Sequence, residues 1–190
     1  MKKWIFIILA VLIIGGGAAG YFYYKNSANK SESAQNSTSK DSSTSQPTGS
    51  KNVATVIKDS KNLSTFTSSL KAASLTEGLQ GTGPFTVLAP TDEAFKALPA
   101  GALDRWLKLE NLEQLKNVLN YQIIPGTLNA NQFTNGQKIK TANGQEIIVE
   151  LADGQITFVD AKGGKATIVK SNLGASNGVV HTINAVLLPQ

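Results

Sequence analysis

The stretch Gly83-Pro84-Phe85-Thr86-Val87-Leu88-Ala89-Pro90-Thr91-Asp92-Glu93-Ala94-Phe95 leaves the chain little freedom. Phe85 to Ala89 is a short, nearly all-apolar strand that stops at Pro90 and turns straight into a helix. Thr91 is placed to cap that helix, its hydroxyl accepting a backbone N–H. Asp92 and Glu93 fall in the first turn, where the helix dipole favours negative charge. Phe95 and Leu98, three apart, share one helix face. A buried strand joined to a helix by a single proline belongs at the centre of a packed domain.

The chain has 190 residues, a size that fits one globular domain with appendages. It contains no cysteine, which excludes a disulfide framework, a thiolate nucleophile and a zinc ribbon. The net charge of +5 is unevenly placed. Residues 1–50 hold five lysines against Glu32 and Asp41, so the rest carries only +2. A basic nucleic-acid-binding face is not evident, and no nucleic-acid partner is expected.

Lys2-Lys3 precede an apolar run from Trp4 that ends in Tyr21-Phe22-Tyr23-Tyr24. Trp4 to Tyr24 is 21 residues, close to the roughly 20 that a helix needs to cross a bilayer. Residues 1–24 are therefore expected to be a single-pass signal anchor, in the membrane through residues 4–24, with a cytoplasmic N-terminus and an extracellular domain. The alternative is a cleaved signal peptide with Ala18-Ala19-Gly20 at its site, which would release a secreted domain. The aromatic cluster favours the anchor. Residues 25–50 then change character: twelve of the 26 are Ser or Thr. Such a segment buries no core and is expected to be a disordered linker.

The domain is expected over residues 51–190. Val53, Val56 and Ile57 mark an opening helix, and Leu63, Phe66 and Leu70 a second. Gly81-Thr82-Gly83 precedes a strand rather than opening a helix, so it is a turn and not a phosphate loop. Leu103, Trp106 and Leu107 suggest a short helix. Asn111 with Gln114 has the form of a capping box ahead of another, lined by Leu115, Val118 and Leu119. Tyr121 to Gly126 leaves it as an extended segment. From Gln137 the period becomes two, with strands expected at Lys138–Thr141, Glu146–Leu151, Gln155–Asp160, Ala166–Lys170 and Gly178–Leu188. Asn143-Gly144, Asp153-Gly154 and Gly163-Gly164 supply the hairpins. Helices first and a meander after make an α+β architecture.

Three segments now stand out together: Thr86 to Phe95 with its Pro90-Thr91-Asp92 core, Leu119-Asn120-Tyr121 to Pro125-Gly126, and Asn177-Gly178-Val179-Val180-His181 to Leu188-Pro189. In this order they resemble the signature segments of a fasciclin (FAS1) domain, and the resemblance covers residues 51–190. It implies a FAS1-like wedge of two small β-sheets with helices packed along one side. It also implies an extracellular adhesion or interaction module without common catalytic activity or cofactor, read here as monomeric. The partner would be an extracellular protein or an envelope or matrix glycan. Thr86, Pro90, Thr91, Asp92, Phe95, Asn177, Gly178, His181 and Pro189 carry the structural motif. Two departures matter. Gln122 follows Tyr121 where the family commonly has His, and Asn172-Leu173 stand where animal adhesion members have an Asp-Ile pair. Receptor recognition of the integrin type is therefore not carried over. Tyr121, Gln122, Ile123, Ile124, Asn172 and Leu173 remain the candidate interaction surface.

Catalysis finds little support in the residues. His181 is the single histidine, read as a strand residue satisfied by polar neighbours and lying near Thr91 or Asp92. The carboxylates Asp92, Asp104, Glu146, Asp153 and Asp160 are scattered without metal-ligand spacing. There is no Gly-x-Ser-x-Gly elbow, and Asp92-Glu93 are explained by capping. The chain is thus read as non-enzymatic, with no catalytic, cofactor or metal site. An envelope glycan- or small-ligand-binding domain is the alternative. It would need an exposed aromatic platform; Trp106 is the candidate, although its helical position is more often one of core packing, and only a solvent-facing Trp106 flanked by Asn or Gln would favour this reading.

Overall fold

The computed structural model describes residues 49–190. The expected anchor and all but the last two residues of the expected linker lie outside the described residues. Among the described residues no helix is long and apolar enough to cross a membrane.

Helices α1 (Val53–Asp59) and α2 (Ser64–Ala72) open the domain. A 3-10 turn at Gly78–Gln80 leads to strand β1 (Phe85–Pro90). Then come α3 (Asp92–Lys96), α4 (Ala102–Trp106), a 3-10 turn at Leu109–Asn111, and α5 (Leu112–Tyr121). Strand β2 (Ile123–Pro125) and a 3-10 turn at Ala130–Gln132 precede the meander β3 (Lys138–Lys140), β4 (Glu146–Ala152), β5 (Gln155–Val159), β6 (Lys165–Ala175) and β7 (Gly178–Ile183).

The strands run in the order β2-β1-β7-β6-β5-β4-β3. The long β6 divides them into the two small sheets: its start pairs with β5 and the remainder with β7. Register shifts between Ile168 and Leu173, with Asn172 at φ 56°, bend the strand where it passes from one sheet to the other. The free ends approach each other, because the Ala142 N–H donates to the Ile123 carbonyl at 2.7 Å.

The two outer motif segments are neighbours. β1 pairs in parallel with β7 from Phe85↔Gly178 to Pro90↔Ile183. Both strands are covered on both faces, which is why β1 reads as a nearly unbroken apolar run. Val87, Ala89 and Val180 face a core shared with α1, α2 and α5, built around Ile57, Phe66, Leu115 and Leu119. Leu88 and Ile183 face a second core inside the sheets, with Tyr121, Ile147, Val149 and Phe158. Gly178 lies at the closest approach: a Cβ there would collide with the Phe85 carbonyl oxygen.

Three sequence expectations need correction. β6 continues five residues past Lys170, because its pairing with β7 resumes at Leu173 after the irregularity at Ser171 and Asn172. β7 ends at Ile183 rather than Leu188. Beyond it the apolar residues are held by side chains instead: Asp160 Oδ2 accepts the Leu188 N–H at 2.9 Å, and Gln122 Nε2 donates to the Leu187 carbonyl at 2.7 Å. Finally, Asn111 does not cap α5. It already sits in a 3-10 turn, and its side chain donates to the Arg105 carbonyl at 2.8 Å. The reciprocal capping box occurs at Asn129 and Gln132.

Candidate functional site

The motif residues are spent on the interior. Thr91 caps α3 as its position predicts, its hydroxyl accepting the Ala94 N–H at 3.3 Å. Asp92 reaches across to another helix, accepting the Thr65 N–H at 2.7 Å and the Ser64 hydroxyl at 2.9 Å. Leu63 offers α2 no side-chain cap, so Asp92 supplies it from a distance. Burial pushes the Asp92 carboxyl up, but the bonds from Thr65 and Ser64 outweigh that and hold it below the ordinary carboxylate value. Thr86 donates to the Gly126 carbonyl at 2.7 Å and accepts the Leu128 N–H at 2.8 Å. Asn177 accepts the Val53 N–H at 2.8 Å and donates to the carbonyls of Leu79 at 2.9 Å and Gly81 at 2.6 Å. Pro90, Phe95 and Pro189 are buried.

His181 is fully buried, and not beside Thr91 or Asp92. In register it pairs with Leu88, while the Thr91 N–H bonds the Ile183 carbonyl. The ring enters the sheet core instead. Nδ1 accepts the Asn172 N–H at 3.3 Å, Nε2 lies 2.8 Å from the Leu128 carbonyl, and the Phe133 ring meets it edge to face. Donation from Nε2 and acceptance at Nδ1 together define the neutral ring. Burial lowers its pKa, which the Leu128 bond only partly offsets. Among the described residues no group of three His, Cys, Asp or Glu side chains could hold a metal ion.

The candidate interaction surface has to be redrawn. Tyr121, Gln122, Ile123 and Ile124 are buried and present no side chain to a partner. The Tyr121 hydroxyl donates to the Glu146 carbonyl at 2.8 Å and accepts the Ala161 N–H at 3.0 Å, and burial raises its pKa. Gln122 Nε2 bridges the carbonyls of Val118 and Leu187. Its amide does so without a titratable ring, while its Oε1 has no partner within the described residues. Asn172 and Leu173 are half-buried: Asn172 Oδ1 accepts the Ala130 N–H at 2.9 Å, and Leu173 packs on the helical core.

What remains open lies elsewhere. After α4, Leu107 is 40% and Leu109 88% exposed. Trp106, half-buried against the helical core, lines an open groove of about 220 Å³ with Gln114, Asn117, Lys162, Pro189 and Gln190. A second cleft of about 150 Å³ lies between α1 and α2, with Lys58 and Lys71 at its wall.

A family model of the fasciclin domain matches residues 61–189. The chain belongs to the fasciclin family. A protein of Synechocystis sp. is 39% identical over 137 residues, covering 72% of this chain and 73% of that protein. The transforming growth factor-beta-induced protein ig-h3 of Sus scrofa is 34% identical over 137 residues, which is 19% of its own length. Among solved structures, the domain pair of the insect cell adhesion molecule fasciclin I matches with a TM-score of 0.67 at 16% identity. The match covers 74% of this chain and 51% of that one, so this chain spans about half of the pair. At that identity the likeness concerns the fold, and the fold is one used in cell adhesion proteins. In this fasciclin domain the two outer motif segments contain the paired strands β1 and β7, and the intermediate motif runs from the end of α5 through β2.

Proposed function

We propose that the protein is a surface-displayed, non-enzymatic adhesion or extracellular interaction module. Residues 4–24 anchor it in the membrane as a single pass, residues 25–50 form a flexible tether, and residues 51–190 are the fasciclin domain. The observation that carries the reading is the employment of the motif side chains. Thr86, Asp92, Asn177 and His181 each bond backbone groups inside the fold, so their polarity serves the scaffold. Contact then falls to surfaces such as Leu107 and Leu109. Kinship with fasciclin I, a cell adhesion molecule, supports the same view.

The test is binding of the full-length chain, reconstituted in lipid vesicles, to cell-envelope and matrix fractions. Retention above protein-free vesicles is the expected result, and retention by none of the fractions overturns the module. Amino-terminal sequencing of the mature protein separates the anchor from the alternative of secretion after cleavage. A second reading, a glycan-binding envelope domain, is favoured by one observation: Trp106 lines a groove whose walls carry Gln114, Asn117 and Gln190.

A further inference from the structure

We propose that the groove beside Trp106 is a saccharide subsite that takes one sugar ring of a polymer and prefers a ring bearing a carboxylate. This rests on the reading of the domain as an extracellular binding module and gives that module a place and a ligand class.

The groove is formed by the end of α4, one face of α5 and the carboxy-terminal segment. Its volume of about 220 Å³ is below the roughly 300–1,000 Å³ of pockets that engulf a whole drug-sized ligand. It is open to solvent rather than enclosed, which leaves a ring in it joined to the rest of its chain outside. Trp106 is the only aromatic side chain lining it, and Val118, Leu188 and Pro189 continue its apolar wall. A large planar apolar surface suits the C–H face of a pyranose, which buries area there without losing hydroxyl hydrogen bonds.

The polar lining is mostly neutral. It consists of three carboxamides, from Gln114, Asn117 and Gln190, and one ammonium, from Lys162. A carboxamide donates and accepts at once, which matches hydroxyls that do the same. Asn117 Oδ1 already accepts from Asn143 at 3.2 Å, which turns its remaining capacity toward donation. Lys162 is the only charged side chain lining the groove and takes part in none of the ion pairs of the described residues. A carboxylate on the sugar would pair with it, as a neutral ring would not.

The experiment titrates the full-length chain in lipid nanodiscs with tetragalacturonate and with the neutral galactose tetramer, followed by calorimetry. Tetragalacturonate is expected to bind saturably and more tightly than the neutral tetramer. Trp106→Ala should weaken both by about tenfold, or about 1.4 kcal/mol. Because Trp106 also packs on the core, Gln114→Ala, on an exposed side chain, provides a second reading and should weaken both several-fold. Lys162→Gln should abolish the preference, weakening tetragalacturonate more than the neutral tetramer. Saturable binding of neither saccharide, or binding that Trp106→Ala and Gln114→Ala both leave intact, overturns the site. Equal binding of the two tetramers overturns the carboxylate preference. If vesicles carrying the wild-type chain still adhere to envelope or matrix fractions, the site alone fails; if they do not, the module fails with it.

Discussion

Asp92, at the start of α3, accepts the backbone N–H of Thr65, at the start of α2, at a distance of 2.7 Å. Its other oxygen takes the Ser64 hydroxyl at 2.9 Å, and its own N–H donates to the Asn62 carbonyl at 2.9 Å. One carboxylate thus serves two helix ends: it lies in the first turn of α3 and replaces the cap that Leu63 cannot give α2. Asp92→Ala is expected to cost about 1–2 kcal/mol, the range of a lost cap, measured by urea denaturation at neutral pH. The carboxyl titrates below its unfolded value, so its stabilisation is present above about pH 4 and is lost as the pH falls further. In Asp92→Asn that acid-side loss should shrink. An unchanged acid limb would remove Asp92 from the account.

His181 acts on the same acid side of the pH profile, but at higher pH. No charged group is among its hydrogen-bonding or ring-stacking partners, which are Leu128, Asn172 and Phe133, so burial dominates and the folded ring resists protonation. The unfolded chain takes up a proton near pH 6.5, whereas the folded ring does so only at lower pH. Between these values the unfolded state binds more protons. Stability is therefore full above about pH 6.5 and declines as the pH falls below it. His181→Gln should be flat through that window, at the cost of an overall loss of about 1–3 kcal/mol from imperfect replacement of two buried bonds. A wild-type profile without slope below pH 6.5 would refute the burial argument.

Much of the scaffold was legible because its residues obey local rules. The apolar Phe85–Ala89 run and the Thr91 cap are short-range signals, and they survive folding. The parallel pairing of β1 with β7 is written in no period of either segment and appears only in the fold. Partner choice was less legible. Nothing local says that Asp92 would cap a different helix, or that Asn111 would turn to Arg105 while Asn129 and Gln132 formed the box. Tyr121 to Ile124 reads as available in sequence because an aromatic-polar segment after a helix can lie on either side of a sheet. The second core, which appears only once the strands curl around it, claims Tyr121 and Ile124. The groove at Trp106 is hidden in sequence for a related reason: residues near 106, 114, 162 and 190 meet only in three dimensions.

Two glycines of positive φ, Gly178 at +156° and Gly163 at +82°, differ in whether a methyl would also collide. Gly178→Ala drives a methyl into the Phe85 carbonyl at the β1–β7 junction, where both strands are buried. The expected loss is more than about 4 kcal/mol, seen as a collapse of soluble yield or of Tm. Gly163 has φ +82° with no atom beyond its chain neighbours within 4 Å of where a methyl would stand. Gly163→Ala should therefore cost only about 1–2 kcal/mol, from backbone strain alone. Similar losses for the two variants would mean that the close approach of β1 and β7 is not what requires Gly178.

Asn177 should behave as a hinge pin between the strands and the amino-terminal helix. Its side chain takes the Val53 N–H and gives both amide hydrogens to Leu79 and Gly81, while its backbone carbonyl accepts from Phe85 at 3.0 Å. Asn177→Ala keeps the backbone bond and strands one buried donor and two acceptors, a loss of roughly 2–4 kcal/mol. Asn177→Asp keeps the acceptor for Val53 but sets a negative charge against the two carbonyls, so it should be no better than alanine. The discriminating measurement is amide hydrogen exchange. Protection should fall first at Val53 and through α1, ahead of β1 and β7, because the side-chain bond to Val53 holds the start of that helix to this corner. Uniform loss across β1 and β7 would place the role of Asn177 in the sheet instead.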